Sequence, residues 1–359
     1  MALKPPVEVP QGAIRLNTDS QKLEFYVQDQ WWEMATDVPT LNGGARGLFC
    51  GGWQNSPSPN VTVNNIDYIT IATAGDSVDF GDLSKQTAYI GTGSSRTRGV
   101  IVGGRADDSP TASNTIDYVT IASTGDAADF GDLPVAISAH YGNSNPTRGV
   151  FASGYNPSPS FVSKNEIHTI TFASTGDAID GGDLPRTVVQ TFTYGNATRG
   201  IWGGGYYANS GGAGAPPTNE MLISVNLAST GQSFTFGNLT VDGTDSILIR
   251  SSGLSNSVRG VRASGYTTPY ISTMDVLNLA SLGSPTSFGD VLYNRAWLTS
   301  VSSPTRGVMA GGDPGNYQRY REIQYFEFAT GGTCVDFGDL TDRSSSTVPE
   351  GISNAHGGL

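Results

Sequence analysis

An arginine–glycine pair followed by a short apolar stretch returns six times in this chain, at Arg46, Arg98, Arg148, Arg199, Arg259 and Arg306. The intervals are 52, 50, 51, 60 and 47 residues. The six copies read RGLFCGG, RGVIVGG, RGVFASG, RGIWGGG, RGVRASG and RGVMAGG. A loop of variable length follows each, then an alternating stretch: IDYITIA, IDYVTIA, IHTITFA, LISVNLA, MDVLNLA or IQYFEFA. The unit closes on DFGDL or a variant of it, and about fifteen further residues before the next pair leave room for one more strand. Alternation at a period of two marks strands. A unit of four short strands cannot bury both its faces alone, so the copies must stack on one another. Four-stranded antiparallel sheets repeated radially make a propeller, for which 4–8 blades is the usual range. The expected fold is therefore all-β: a six-bladed propeller over residues 41–359. Its ring would be closed by a C-terminal strand at about 343–356, where SNAHGG echoes SNPTRG of the third copy.

An apolar strand ending in a small residue and glycine, a variable loop and a strand carrying tyrosine together resemble the kelch repeat. Tyr68, Tyr118 and Tyr325 stand at the place of the kelch tyrosine, and the phenylalanines of DFGDL take the place of its tryptophan. The resemblance implies architecture, and fold alone does not carry function.

Composition narrows the function classes. Glycine supplies 47 of 359 residues, roughly twice ordinary usage, and charged residues only 14 %, which suits turns and strands rather than helices. A net charge of −12 argues against a nucleic-acid partner, because phosphate binding needs clustered Lys and Arg. Two cysteines, Cys50 and Cys334, are too few for a disulfide framework and read as small buried side chains. Neither a secretion signal nor an 18-residue apolar run is legible, so no membrane insertion is expected.

The first forty residues share no element with the repeat. In QGAIRLNTDSQKLEFYVQDQWWEMAT, Ile14 and Leu16, then Leu23 and Phe25, alternate around a polar turn, predicting a hairpin with a third short strand at Trp31–Trp32. The phrase also resembles a segment of tailed-bacteriophage tail-fibre and other virion proteins: Gly12, Ile14, Arg15, Asn17, Lys22, Leu23, Glu24, Tyr26 and Trp31 fit its pattern. The resemblance implies that residues 1–40 dock the chain onto other virion proteins through Ile14, Leu16, Leu23, Phe25, Tyr26, Trp31 and Trp32.

Catalytic chemistry finds little support. The three histidines, His140, His168 and His356, share no local motif, and His168 reads as a strand-surface residue because other copies carry Asp there. No nucleophile elbow or zinc-protease motif occurs. Asp76, Asp79 and Asp82, with their counterparts in the next two copies, have a spacing that alternates across a strand, and turn chemistry explains them better than Ca²⁺. No metal and no cofactor are expected. The repeated arginines read as scaffold, paired with Asp82, Asp132, Asp183, Asp290 and Asp339 of the closing run, since a guanidinium holds a carboxylate in two parallel bonds. The loops behind each small-Gly step should gather on one rim and display Trp53, Tyr155, Tyr206, Tyr207, Tyr266, Tyr270, Tyr317 and Tyr320. Aromatics among short polar residues suit contact with a host-surface glycan or protein.

The expectation is a non-enzymatic phage virion structural protein, assembled in the host cytoplasm and displayed on tail or capsid for adhesion, receptor binding or decoration. An exposed hairpin also invites homo-oligomers. Two alternatives are a sialidase-like carbohydrate-active propeller, which needs an axial pocket lined by arginines and acids, and a cellular kelch-type interaction scaffold.

Overall fold

The computed structural model describes residues 9–17, 22–33, 45–54, 61–106, 112–157, 162–205, 221–229, 233–239, 248–267, 269–281, 283–314, 320–341 and 350–359. All regular structure among them is β-strand. The chain divides into two compact units, Met1–Gly43 and Gly44–Leu359.

The larger unit contains six four-stranded antiparallel sheets. In sheet order, the first is Glu350–Ser353, Arg46–Cys50, Asn65–Thr70 and Val78–Asp82. The second is Gly91–Ser94, Arg98–Val102, Thr115–Thr120 and Ala128–Asp132. The third is Tyr141–Ser144, Arg148–Ala152, Glu166–Thr171 and Ile179–Asp183. The fourth is Phe192–Gly195, Arg199–Gly203, Met221–Asn226 and Ser233–Asn238. The fifth is Ser252–Ser255, Arg259–Tyr266, Tyr270–Asn278 and Thr286–Asp290. The sixth is Ala296–Ser302, Arg306–Asp313, Glu322–Glu327 and Val335–Asp339. In the first sheet the leading strand comes from the far end of the chain, with Ile352 opposite Leu48 and Ser353 opposite Gly47.

The alternation of the second strand explains how the sheets pack. In RGLFC, Leu48 and Cys50 enter a cluster with Ile90, Ile101 and Val119 of the second sheet. Phe49, between them, points the opposite way and packs with Val301, Val308 and Phe337 of the sixth. The same split recurs throughout, so six apolar clusters each lie between two consecutive sheets, the sixth and first included. Each fully buried Leu or Ile here contributes about 1.5–3 kcal/mol, and a lone sheet would bury none of them on both sides. The first strands touch in the same order, each against the next and Glu350–Ser353 against both Ala296–Ser302 and Gly91–Ser94.

Backbone hydrogen bonds add a second set of ties. The glycine turn before the fourth strand donates, in four of the sheets, to the fourth strand of the preceding sheet. Gly125 N bonds Phe80 O at 2.8 Å, Gly176 N bonds Phe130 O at 2.7 Å, Gly332 N bonds Phe288 O at 2.8 Å and Gly75 N bonds Phe337 O at 2.7 Å. The glycine of DFGD makes this approach possible. A Cβ on Gly131 would lie 2.5 Å from the carbonyl carbon and oxygen of Gly176.

The smaller unit is a three-stranded antiparallel sheet, Ile14–Asn17, Lys22–Val27 and Gln30–Glu33. Gln28 and Asp29 both have positive φ (51° and 58°), as a two-residue type I′ hairpin requires. The register places Ile14, Phe25 and Trp32 in line, with Leu16 beside Leu23, on one face. Arg15, Glu24, Tyr26 and Trp31 share the other, where Arg15 bonds Glu24 and stacks on Trp31 at 4.1 Å.

Candidate functional site

Two regions of the larger unit gather polar chemistry. The first is the narrow space between the first strands. Its walls repeat small residues, and the strands are laced by hydroxyls. Thr92 Oγ1 donates to Gly351 O (2.9 Å), Ser94 Oγ to Ser353 O (2.7 Å), Ser353 Oγ to Ser302 O (2.6 Å) and Ser302 Oγ to Ser255 O (2.8 Å). Thr193 Oγ1 donates to Gly142 O at 3.0 Å. The cavity left is about 90 Å³, and its lining includes no Asp, Glu, Lys or Arg.

The last residues of the chain lie across one end of this space. Gly357 N donates to Ser255 O at 2.9 Å. Gly358 N donates to His356 Nδ1 at 3.0 Å, which leaves the ring proton on Nε2, facing Ser144 Oγ (3.1 Å) and Ser94 O (3.3 Å). Burial pushes the His356 imidazole down to about 4.

The second region lies at the other end of the first strands, where the variable loops leave. Here one position is left-handed in five of the sheets: Tyr89, Ala139, Gln190, Arg250 and Trp297, with φ between 56° and 61°. Backbone bonds link several of them around this end, Ala139 N to Tyr89 O (2.6 Å) and Trp297 N to Arg250 O (2.8 Å). Arg250 is the centre of a cluster. Its guanidinium lies 3.9 Å over the Trp297 ring and 5.7 Å from Tyr266, and its Nε donates to Gln190 Oε1 at 3.1 Å. Tyr266 and Tyr270 meet edge to face at 4.9 Å. Burial, then Asp313, pushes the Tyr270 hydroxyl up, against the pull of Arg250, so it keeps its proton. The Trp297 indole N–H is buried without an acceptor. Two smaller clusters repeat the theme. Arg105 lies 5.0 Å over Tyr89, itself packed on Trp53, and buried Arg295 lies between Tyr293 (4.7 Å) and Tyr320 (4.4 Å).

Of the expected rim residues, Trp53, Tyr266, Tyr270 and Tyr320 are at this end and partly exposed. Tyr155 differs: it is 7 % exposed and belongs to the core between the third and fourth sheets, because its backbone pairs with Ser138 and draws the ring inward. Tyr206, Tyr207 and Tyr317 lie outside the described residues, as do residues 343–349 of the expected C-terminal strand. The organising arginines, Arg105, Arg250 and Arg295, and the partners Gln190 and Trp297 stand outside the motif and were not singled out from sequence. Gln190 and Arg250 stand two residues before the first strand of their copies, as Tyr89 and Ala139 do, and that shared place was the available signal.

The repeated arginines bond differently from the expectation. Five of the six bond carbonyls of the next sheet rather than the DFGD aspartates, and Arg306 also pairs with Glu327 of its own sheet at 2.9 Å. Arg46 reaches Ile121 O (3.1 Å), Arg98 Phe172 O (2.8 Å), Arg199 Leu279 O (2.7 Å), Arg306 Ile71 O (3.0 Å), and Arg259 bonds Phe328 O. Arg148 holds the same place in its strand, opposite Thr171. The reason is geometry. The third strand carries Tyr68, Tyr118 or Tyr325 beneath the guanidinium, at 4.9, 5.0 and 4.2 Å, which aims it across to the neighbouring strand end.

The DFGD aspartates Asp82, Asp132 and Asp339 instead donate their backbone N–H to the carboxylates of Asp126, Asp177 and Asp76 in the next turn. Asp290 accepts from Ser272 Oγ at 3.1 Å, and Asp183 offers its carbonyl to Ser233 Oγ at 3.0 Å. Other carboxylates that tie sheets sit one strand further in. Buried Asp67 accepts from Thr341 N (3.0 Å) and Oγ1, and Asp117 accepts from the Ser84 hydroxyl.

His168, expected on the surface, is buried. Its Nδ1–H donates to His140 Nε2 at 3.0 Å, while His140 Nδ1–H donates to Ser153 O at 2.7 Å. Burial, then the neighbouring His168, holds His140 down at about 3, so the pair is neutral. In the smaller unit the apolar face is open: Ile14 is 63 % exposed, Leu16 60 % and Trp32 50 %. Phe25 and Leu23 share that face, whereas Tyr26 and Trp31 lie on the opposite one, 5.2 Å apart. Among the described residues no group of three or more His, Cys, Asp or Glu is placed to hold a metal ion. Searches of protein-family models and of curated proteins returned no match to this chain.

Proposed function

We propose that the chain is a non-catalytic recognition and display protein of a bacteriophage virion. A six-bladed propeller would carry the recognition surface, and residues 1–40 would dock it to other virion proteins on tail or capsid. The observation that carries the reading is the uncovered apolar face of the smaller unit, Ile14, Leu16, Leu23 and Trp32, on a sheet too short to be stable by itself. Such a face calls for a partner, and the residues that form it belong to the segment resembling tail-fibre proteins. Six four-stranded sheets with cyclic contacts between their first strands support the propeller.

A sialidase-like enzyme needs an axial pocket with arginines and acids. The axial space is about 90 Å³, has small neutral walls and is crossed by the chain's own last residues, which favours the non-catalytic reading. A cellular kelch-type scaffold would not need the N-terminal sheet.

Mass spectrometry of purified virions, with the full chain and a chain lacking residues 1–40 expressed in the infected host, tests the proposal. Incorporation of the full chain at a fixed copy number, and of the shortened chain not at all, is expected. Absence of the full chain from particles, or equal incorporation of both, overturns it.

A further inference from the structure

The left-handed position at the loop end carries a second message. A non-glycine residue there costs about 1–3 kcal/mol in backbone strain, and this chain is rich in glycine, which fills most of its other left-handed positions. Scaffold demands alone favour Gly or Asn. The chain instead places Tyr89, Ala139, Gln190, Arg250 and Trp297 there, and in four of the five a large side chain is held at this end despite the strain.

What they hold is a cluster of donors beside a single buried acid, Asp313, which acts on Tyr270. Arg250 has no carboxylate partner among the described residues, in a protein whose net charge is −12. Its Nε donates to Gln190 Oε1 and the guanidinium also bonds the Tyr270 hydroxyl, which leaves further Nη hydrogens of the fork without a partner acid. The Trp297 N–H beside it has no acceptor, and the Tyr270 hydroxyl is protonated. Arginine's fork matches a carboxylate, and the rings of Trp297, Tyr266 and Tyr270 offer flat apolar surface of the kind that packs on a sugar ring. The buried arginines of the unit are already met: Arg262 pairs with Asp275 and Arg295 with Glu322, whereas Arg250 is half-buried.

We infer that the Arg250–Trp297–Tyr270–Gln190 cluster binds a carboxylate-bearing sugar, the carboxylate on the guanidinium fork and the ring against the aromatics. The inference rests on the recognition reading above and names its ligand class, a uronic or nonulosonic acid of a cell-surface polysaccharide.

The test is calorimetric titration of the purified full chain. The probes are sialyllactose and tetramers of galacturonate, glucuronate and mannuronate, each beside its carboxyl-reduced form. At least one acidic sugar should bind, and its reduced form at least about tenfold more weakly, the value of one charged hydrogen-bond pair. Arg250→Lys keeps the charge but not the fork and should weaken binding by about tenfold. Trp297→Phe should weaken it several-fold. Val258→Thr, at the opposite end of the fifth sheet, should leave it unchanged. Unchanged thermal midpoints in Arg250→Lys and Trp297→Phe separate lost binding from lost folding. Binding to none of the acidic sugars, equal binding of the reduced forms, or indifference to both variants overturns the inference. Because the titration uses isolated chain and the virion assay uses particles, either reading can fail while the other stands.

Discussion

The contact between the glycine of one fourth strand and the Gly-Asp turn of the next sheet can be isolated with two substitutions. Gly131 and Gly176 face each other across it and share a φ of +151°. Alanine at either position meets the same backbone strain, about 1–3 kcal/mol, offset equally by about 0.4–1 kcal/mol from a stiffer unfolded chain. Only the surroundings differ. A Cβ on Gly176 meets nothing within 4 Å, whereas one on Gly131 lies 2.5 Å from the Gly176 carbonyl. The turn cannot withdraw without losing Gly176 N to Phe130 O and Ala178 N to Asp132 O, so overpacking adds about 1–3 kcal/mol.

Gly131→Ala should therefore lie that far below Gly176→Ala in stability. At about 2–4 °C per kcal/mol for a large domain, the two thermal midpoints should differ by several degrees, read by circular dichroism at one scan rate. Equal midpoints would refute the argument that backbone proximity, rather than φ alone, demands glycine in DFGD.

Arg98→Met removes a bond to Phe172 O and a guanidinium over Tyr118, and should cost about 1–3 kcal/mol in chemical denaturation, with Arg98→Lys recovering less than half. The buried His140–His168 pair makes stability pH-dependent. With the folded His140 held at about 3 and an unfolded value of 6.5, the unfolded chain binds more protons between those values. Stability is thus full above pH 6.5 and falls as pH drops toward 3; urea midpoints across that range should show the slope, and His140→Gln should make it shallower, the buried His356 at about 4 supplying a remainder of the same sign.

The architecture was legible because the repeat writes it six times. Arginine–glycine, the small-Gly step and DFGDL recur at the positions where strands begin, turn and meet the next sheet, and the alternation in RGLFC announces two buried faces. The ties between sheets were harder to read. A sequence shows that Arg46 and Asp82 share a period, but not that Tyr68 under the guanidinium aims it at a carbonyl 75 residues away. Asp67 looks like any strand residue until Thr341 is brought against it from the far end of the chain. Tyr155 shows the limit of reading loops by composition, since one backbone bridge to Ser138 turned a display residue into core. The Arg250 cluster fell outside every motif because its members repeat in backbone conformation and not in residue type.

The first sheet joins Arg46–Cys50 to Glu350–Ser353. On a ribosome adding about 5–20 residues per second, the first of these strands waits on the order of 15–60 s for its partner to be made. Through that interval Leu48, Phe49 and Cys50 have an open edge, and the cluster between the first and second sheets lacks Ile352. Nascent chains crowded on one messenger could satisfy those edges with each other. Synthesis thus sets a race between finishing one chain and entangling several, and a premature stop codon anywhere before residue 350 would leave a product that can only lose it.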